Sequence, residues 1–285
     1  MHEEKQVLRR LGHTKQDVES VVPYLLYCFL QSLYALFYKH RPKKMDPQKI
    51  FVFVVASFEE PAYLDFIKIR KAQFKKYNIP NMFLFDGIKP AGFGDENDVF
   101  FEKPIPPKNI PNPHLNPHMI LKFMKAIRTI DLLKYKLILR INLSTYINIP
   151  SLLHELAKFP LEKTAVANIL KITFNDYELN STYTVALLSG TCIIFSTDFI
   201  SYLQSYDLNS PELNKHNDDV VLTHLANKFK CNCYHFPMFI WDSGEITNDL
   251  QKYLLIRCKN EEDRLFDVQK WIYLLKTIDG IDYTN

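Results

Sequence analysis

Apolar positions along this chain fall into two kinds of run. Short unbroken runs stand at 50–56 (IFVFVVA), after Asn81 within the strand expected at 81–85, and at Leu137, Ile138 and Leu139, the front of KLILRINLSTYINIP (136–150). Runs that are apolar at every position mark strands covered on both faces, as in the middle of a mostly parallel sheet. Other stretches carry apolar residues every three or four positions and predict helices. One spans 62–77, with Leu64, Ile67, Ala72 and Phe74 set between lysines and arginines. Another spans 118–133, with Ile120, Leu121, Met124, Ile127 and Ile130 on one face. Strand, helix, strand over 50–85 is the opening of a right-handed βαβ unit.

The pattern continues downstream. Residues 150–157 predict a helix with Pro150 at its first position. Strands are expected at 164–174, 183–188 and 191–195, the last two divided by a Ser189-Gly190 turn. A helix at 197–205 and a loop at 206–217 precede a helix at 218–229. Asp218 and Asp219 open that helix, where acids are favourable beside its positive end. The chain closes with strands at 231–236 and 253–257 and a helix at 261–276. Between 88 and 117 seven prolines exclude helix and central strand, which predicts a long loop around a short strand at 99–101. Long ordered loops in compact domains are often functional. The succession predicts an α/β, Rossmann-like fold with a mixed, mostly parallel sheet flanked by helices.

Residues 1–48 differ from the rest and read as a helical extension before a domain at 49–285. Within it, 21–38 (VVPYLLYCFLQSLYALFY) is the longest apolar run, near the lower length limit for a membrane span. Pro23, Gln31 and Ser32 interrupt it, and basic residues flank both ends, so charge sets no orientation. A cleavable signal peptide is excluded by the long charged leader. A buried or interfacial helix is the first expectation and a membrane anchor the alternative. Localisation is accordingly cytoplasmic or membrane-associated, or a type II anchor in the Golgi or endoplasmic reticulum.

Composition narrows the chemistry. The chain has 285 residues, 47% hydrophobic and 24% charged, enough for one large α/β domain. Only 7 glycines are present, and no Gly-rich phosphate loop appears. A net charge of +3 with interspersed signs is no footprint for nucleic acid. Five irregularly spaced cysteines form neither a disulfide framework nor a zinc motif and suggest a reducing compartment. His114 and His118 are separated by Pro117, which breaks a shared helical face, and no G-x-S-x-G elbow occurs. What remains is the polar end of the central stretch: Arg140, Asn142, Ser144 and Thr145. Ligands of open α/β sheets bind beyond the carboxyl ends of such strands. The plainer reading is a core strand followed by a turn.

Five blocks in order resemble the β-1,3-galactosyltransferase-like glycosyltransferases of the GT-A fold, over roughly 50–240. They are MILKFMKAI (119–127) with KYKLILRI (134–141), RINLSTYINIPSLL (140–153), LSGTCIIFSTDFISYL (188–203), the acidic pair with Val220 (218–220), and His235 some way beyond. The resemblance implies an inverting transfer of sugar from a nucleotide-sugar donor, UDP-linked by preference, to a hydroxyl of a glycan or glycoprotein. Asp219, or Asp218 in its place, would be the general base; both acids equally suit a plain helix start. Ser57, Phe58 and Asp86 would receive the base and ribose, although Asp86 before Gly87 is also a turn signal. Ser189 and Gly190 would lie toward the acceptor. Trp241 would stack on it, with Tyr183, Phe236 and Phe239 as other candidates, though aromatics are mostly core.

One departure from the family pattern is large. Its three metal-binding acids fall here on Asn142, Leu143 and Ser144, whose neutral oxygens bind Mn²⁺ or Mg²⁺ far more weakly than carboxylates do. Whether a divalent metal takes part stays open, with His235 the one candidate ligand. Without a metal, Arg140 and Lys122 would neutralise the leaving diphosphate, and Asn142 and Ser144 would contact ribose or phosphate. The competing readings are a non-catalytic carbohydrate- or nucleotide-binding module of the same fold, and a scaffold protein using 21–38 as its contact.

Overall fold

All six residues of β1 (Ile50–Val55) are buried because the strand faces two cores at once. Ile50, Val52 and Val54 enter one hydrophobic cluster, Phe51 and Phe53 the other. That division is the physical reason for an apolar run without alternation. The computed structural model describes residues 44–283 except 58–59, 88, 90–93, 96–97, 102–117, 177–180, 215, 242–249 and 261–262. The extension up to residue 43, its apolar run 21–38, Phe58 and His114 lie outside the described residues.

β1 pairs in parallel with β2 (Asn81–Asp86) on one side and β4 (Leu137–Asn142) on the other. β3 (Val99–Phe101) extends the parallel set beyond β2. On the far side of β4, β7 (Ser181–Ser196) runs antiparallel to it and to β6 (Thr164–Asp176). β8 (Asn232–His235) then closes the edge parallel to β6. The order is β3-β2-β1-β4-β7-β6-β8, and β7 alone opposes the other directions. A smaller sheet, β5-β10-β9, is built from β5 (Thr145–Ile147), β9 (Met238–Trp241) and β10 (Leu255–Cys258). The expected α/β class, a mixed and mostly parallel sheet flanked by helices, is the observed one.

Helices cover both faces. α1 (Pro61–Tyr77), α3 (Ile149–Leu156) and α6 (Arg264–Thr277) contribute Phe66, Leu152 and Trp271 to the first core. α2 (His118–Ala126), α4 (Thr197–Ser205) and α5 (Asp218–Lys228) contribute Phe123, Phe199 and Leu222 to the second.

Several expectations are corrected. The helix expected over 118–133 ends at Ala126 and continues only as short 3₁₀ turns. Arg128 Nη1 takes the Met124 carbonyl (2.8 Å) and the Thr129 hydroxyl that of Ala126 (2.8 Å), while Asp131 caps the Leu133 N–H (3.1 Å). Side chains there occupy backbone groups that another α-turn would need. Ser189-Gly190 is not a turn, because β7 runs through it. The two strands expected there are one, with a register shift opposite Ala167 and Ile169. Pairing with β4 and β6 outweighs the local turn signal. The central stretch 136–150 divides instead at Leu143-Ser144, so Thr145 starts β5 in the second sheet. β9 was not expected at all.

Candidate active site

The carboxyl ends of β2 and β4 bring Asp86 and Asn142 to one edge of the sheet, and α2 and α5 overhang it. Arg140 lies two residues before the end of β4, its side chain 1% exposed. Its Nη2 forms an ion pair with Asp218 Oδ2, and its Nη1 donates to Asn142 Oδ1 at 2.8 Å. Lys122, on α2 and fully buried, donates to Asp86 Oδ2 at 3.0 Å. Two pairs predicted only as scattered candidates thus become adjacent.

Gly190 explains how α5 reaches the sheet. A Cβ at this position would stand 3.2 Å from Asp219 Cβ, 3.5 Å from Arg140 Nη1 and 3.7 Å from Asp218 Oδ1. A side chain here would require Asp219 to give by a few tenths of an ångström, so glycine eases the close approach of the acidic helix start. The Leu188 N–H donates to Thr223 Oγ1 at 3.0 Å and fastens the same helix to β7. Asp219 is partly buried beside the ion pair, and its Oδ1 accepts the Val220 N–H at 2.9 Å.

Burial pushes the Asp219 carboxyl above its ordinary value, and the neighbouring Asp218 adds to the effect. The Val220 N–H and Arg140 oppose it. For Lys122, burial lowers the pKa and the contact with Asp86 works against that. In charge terms, Lys122 and Arg140 face Asp86, Asp218 and Asp219. The inner cluster is therefore not the net cationic floor expected from Arg140 and Lys122, since each of those cations already holds a carboxylate.

The remaining candidates lie as follows. Ser57 is partly buried just past β1, and Ser144 is partly buried in the turn after β4, its carbonyl accepting the Cys258 N–H at 3.1 Å. Ser189 is buried, and its hydroxyl meets Thr191 Oγ1 at 3.0 Å. Trp241 is corrected: it is 3% exposed in the first core, its carbonyl accepts from Lys270 (3.0 Å), and that ammonium stands over its ring. No open aromatic face is left there for a sugar. His235 lies away from these residues. It is exposed at the edge strand, with Nδ1 accepting the Ile169 N–H at 3.1 Å, so that nitrogen serves the bulged sheet.

Residues present at 142–144 do not fit a divalent metal. Asn142 Oδ1 is engaged by Arg140, and Leu143 is buried in the first core. Among the described residues no group of three or more His, Cys, Asp or Glu is placed to hold an ion.

Sequence reasoning missed Arg257. It sits on β10 opposite Thr145, and its Nη1 donates to Thr191 Oγ1 at 3.3 Å. The one available signal was an arginine inside an otherwise apolar run, Leu255, Ile256 and Cys258.

No protein-family model matches this sequence, and no curated protein matches it. Among solved structures, the chain resembles the galactosyltransferase LgtC in complex with donor and acceptor sugar analogues: TM-score 0.47, 13% identity, 81% of this chain and 97% of that one. It also resembles a glycosyltransferase involved in glycosylation of the major capsid of PBCV-1, with TM-score 0.42, 8% identity and coverage of 78% and 98%. A third is 4-diphosphocytidyl-2C-methyl-D-erythritol synthase from Anaerococcus prevotii, with TM-score 0.41, 12% identity and coverage of 79% and 99%. Likeness of this degree concerns the trace of the chain and leaves activity to the site.

Proposed function

We propose that the chain is a glycosyltransferase that moves a sugar from a nucleotide-sugar donor to an acceptor hydroxyl with inversion, Asp219 being the general base. The observation that carries this reading is the placement of Asp219. A partly buried carboxylate with a raised pKa stands against a buried Arg140–Asp218 pair, at the edge where α/β sheets receive ligands. The sequence resemblance named above supports the same choice.

In the proposed step the acceptor O–H gives its proton to Asp219 while its oxygen forms a bond to the anomeric carbon. The bond from that carbon to the donor diphosphate breaks, and its electron pair leaves with the nucleoside diphosphate. Arg140 holds Asp218 and Asn142 in place, so the base meets the acceptor in a fixed frame. Lys122 fixes Asp86 through one carboxylate oxygen, and that oxygen would accept a ribose hydroxyl. A UDP-sugar is the first donor to test, and a glycan or glycoprotein the first acceptor.

The test pairs binding with turnover. Asp219→Asn is expected to abolish transfer while the variant still gains thermal stability from the nucleotide sugar that stabilises the wild type. Undiminished transfer by that variant would remove Asp219 from the mechanism. A second reading, a non-catalytic nucleotide- or carbohydrate-binding module, draws on the two closed ion pairs, which leave little of the inner charge uncommitted. It requires wild-type protein that binds donor and transfers nothing to any acceptor.

A further inference from the structure

We infer that Arg257, on β10 of the small sheet, is a phosphate-binding residue that takes the diphosphate of the donor. The inference rests on the transferase reading and adds to it the group that meets the leaving anion. Its starting point is the charge balance of the inner cluster. Lys122 and Arg140 are held by Asp86 and Asp218, and Asp219 adds a further carboxylate. Such a cluster repels a diphosphate unless another cation stands nearby. Bond cleavage worsens the repulsion, because the departing electron pair adds one negative charge to the diphosphate.

Arg257 stands where that cation is needed. The β10 strand is tied to the turn that follows β4, with the Cys258 N–H on the Ser144 carbonyl at 3.1 Å. Arg257 is in register with Thr145, the first residue after that turn. Its Nη1 reaches Thr191 Oγ1 at 3.3 Å, and Thr191 belongs to β7, the strand beside β4. Among the described residues no carboxylate lies within ion-pair distance of it, and its Nε is buried without a hydrogen-bond partner. Arg264, whose charge acts on Arg257, is committed to Asp267 at 2.5 Å. Nε is shut away from ligands, but Nη2 is not among the buried unpartnered atoms, and a partly buried guanidinium without a counter-charge is costly unless something else supplies one. A phosphate matches its fork and supplies the missing charge.

The probe is inorganic pyrophosphate, which does not depend on the unknown nucleobase. Its binding to the full chain is measured by titration calorimetry in the presence of a chelator, beside UDP, GDP, CDP and ADP. Wild type is expected to bind pyrophosphate, Arg257→Gln about tenfold or more weakly, and Arg257→Lys in between. Thr191→Val removes the anchoring hydroxyl and keeps the charge, so it is expected to weaken binding less than Arg257→Gln does. Equal affinity for pyrophosphate in wild type and a folded Arg257→Gln would overturn the assignment, as would absence of diphosphate binding by wild type. If Arg257→Gln does not fold, the lysine variant decides, because it keeps the charge and loses only the fork: unchanged affinity there overturns the role. Transfer assays separate this inference from the reading beneath it. Transfer by wild type that survives intact in Arg257→Gln defeats only Arg257, whereas Arg257-dependent diphosphate binding without any transfer defeats only the enzyme.

Discussion

Asp219 and Gly190 carry the sharpest consequences at the scale of single residues. As the proposed base, Asp219 must be ionised to act, and burial beside Asp218 raises its pKa. The acid limb of kcat/KM is therefore expected at a pH above the ordinary aspartate value of 3.8. A pH–rate profile locates it, and a limb at the ordinary value would assign the titration to another group. The same shift has a stability consequence of definite sign. Folding favours the neutral carboxyl; that contribution is present below the unfolded pKa and is lost as the pH rises through the folded one. Asp219→Asn stays neutral at every pH, so it is expected to be at least as stable as wild type at pH 7 while inactive. Gly190→Ala puts a methyl 3.2 Å from Asp219 Cβ and displaces the helix start. Turnover is expected to fall about tenfold or more, for a stability loss of roughly 1–3 kcal/mol by denaturant unfolding.

Between elements, buried polar contacts decide how the helices dock. Asp279, just beyond α6, accepts from Gln73 (2.7 Å) and Tyr77 (2.9 Å) of α1 and from Tyr146 of β5. Arg70 of α1 is fully buried, lies over the Trp271 ring at 4.4 Å and donates to Gln73 Oε1 at 2.6 Å. Burial lowers its pKa to about 10, so it stays charged at neutral pH. Removing the carboxylate takes an acceptor from three buried or partly buried donors and a counter-charge from Arg70. Asp279→Ala is expected to cost about 3–5 kcal/mol, and Tyr146→Phe only about 1–2 kcal/mol, in urea denaturation. The Arg140–Asp218 pair joins β4 to α5 in the same way. Arg140→Met alone should destabilise by more than Arg140→Met with Asp218→Asn, because the double change also removes the charge that Arg140 pairs with.

Among the described residues, two cores on either side of one sheet enclose most of the apolar groups, and four thiols share that enclosure. Cys192, Cys231, Cys233 and Cys258 are buried, and burial pushes the Cys192 and Cys258 thiols up to about 12. None of these four is expected to react with a thiol reagent at pH 8 before global unfolding; fast labelling of any of them would mean that its core opens locally.

Several features were legible before any coordinates. β1, β2 and β4 announced themselves because a strand facing two cores is apolar at successive positions. α1 and α5 kept nearly their expected bounds, and the acids at 218–219 marked a helix start that is also the heart of the site. Their signals are local: each residue's side reflects the period of its own element. What those signals could not contain was pairing between distant segments. Arg140 finds Asp218 across 78 positions and Lys122 finds Asp86 across 36, which turned an expected cationic floor into two closed pairs. Ser189-Gly190 reads as a turn by composition and is a strand because β4 and β6 flank it. Trp241 reads as a sugar platform and is core, while Arg257 drew no notice until β10 was laid against the turn after β4. The sequence by itself determined which residues could form strands and helices and which carried usable charge. The tertiary structure alone decided which charges cancel and which stay uncommitted, because neutralisation and burial are properties of neighbours that the chain brings together only when folded.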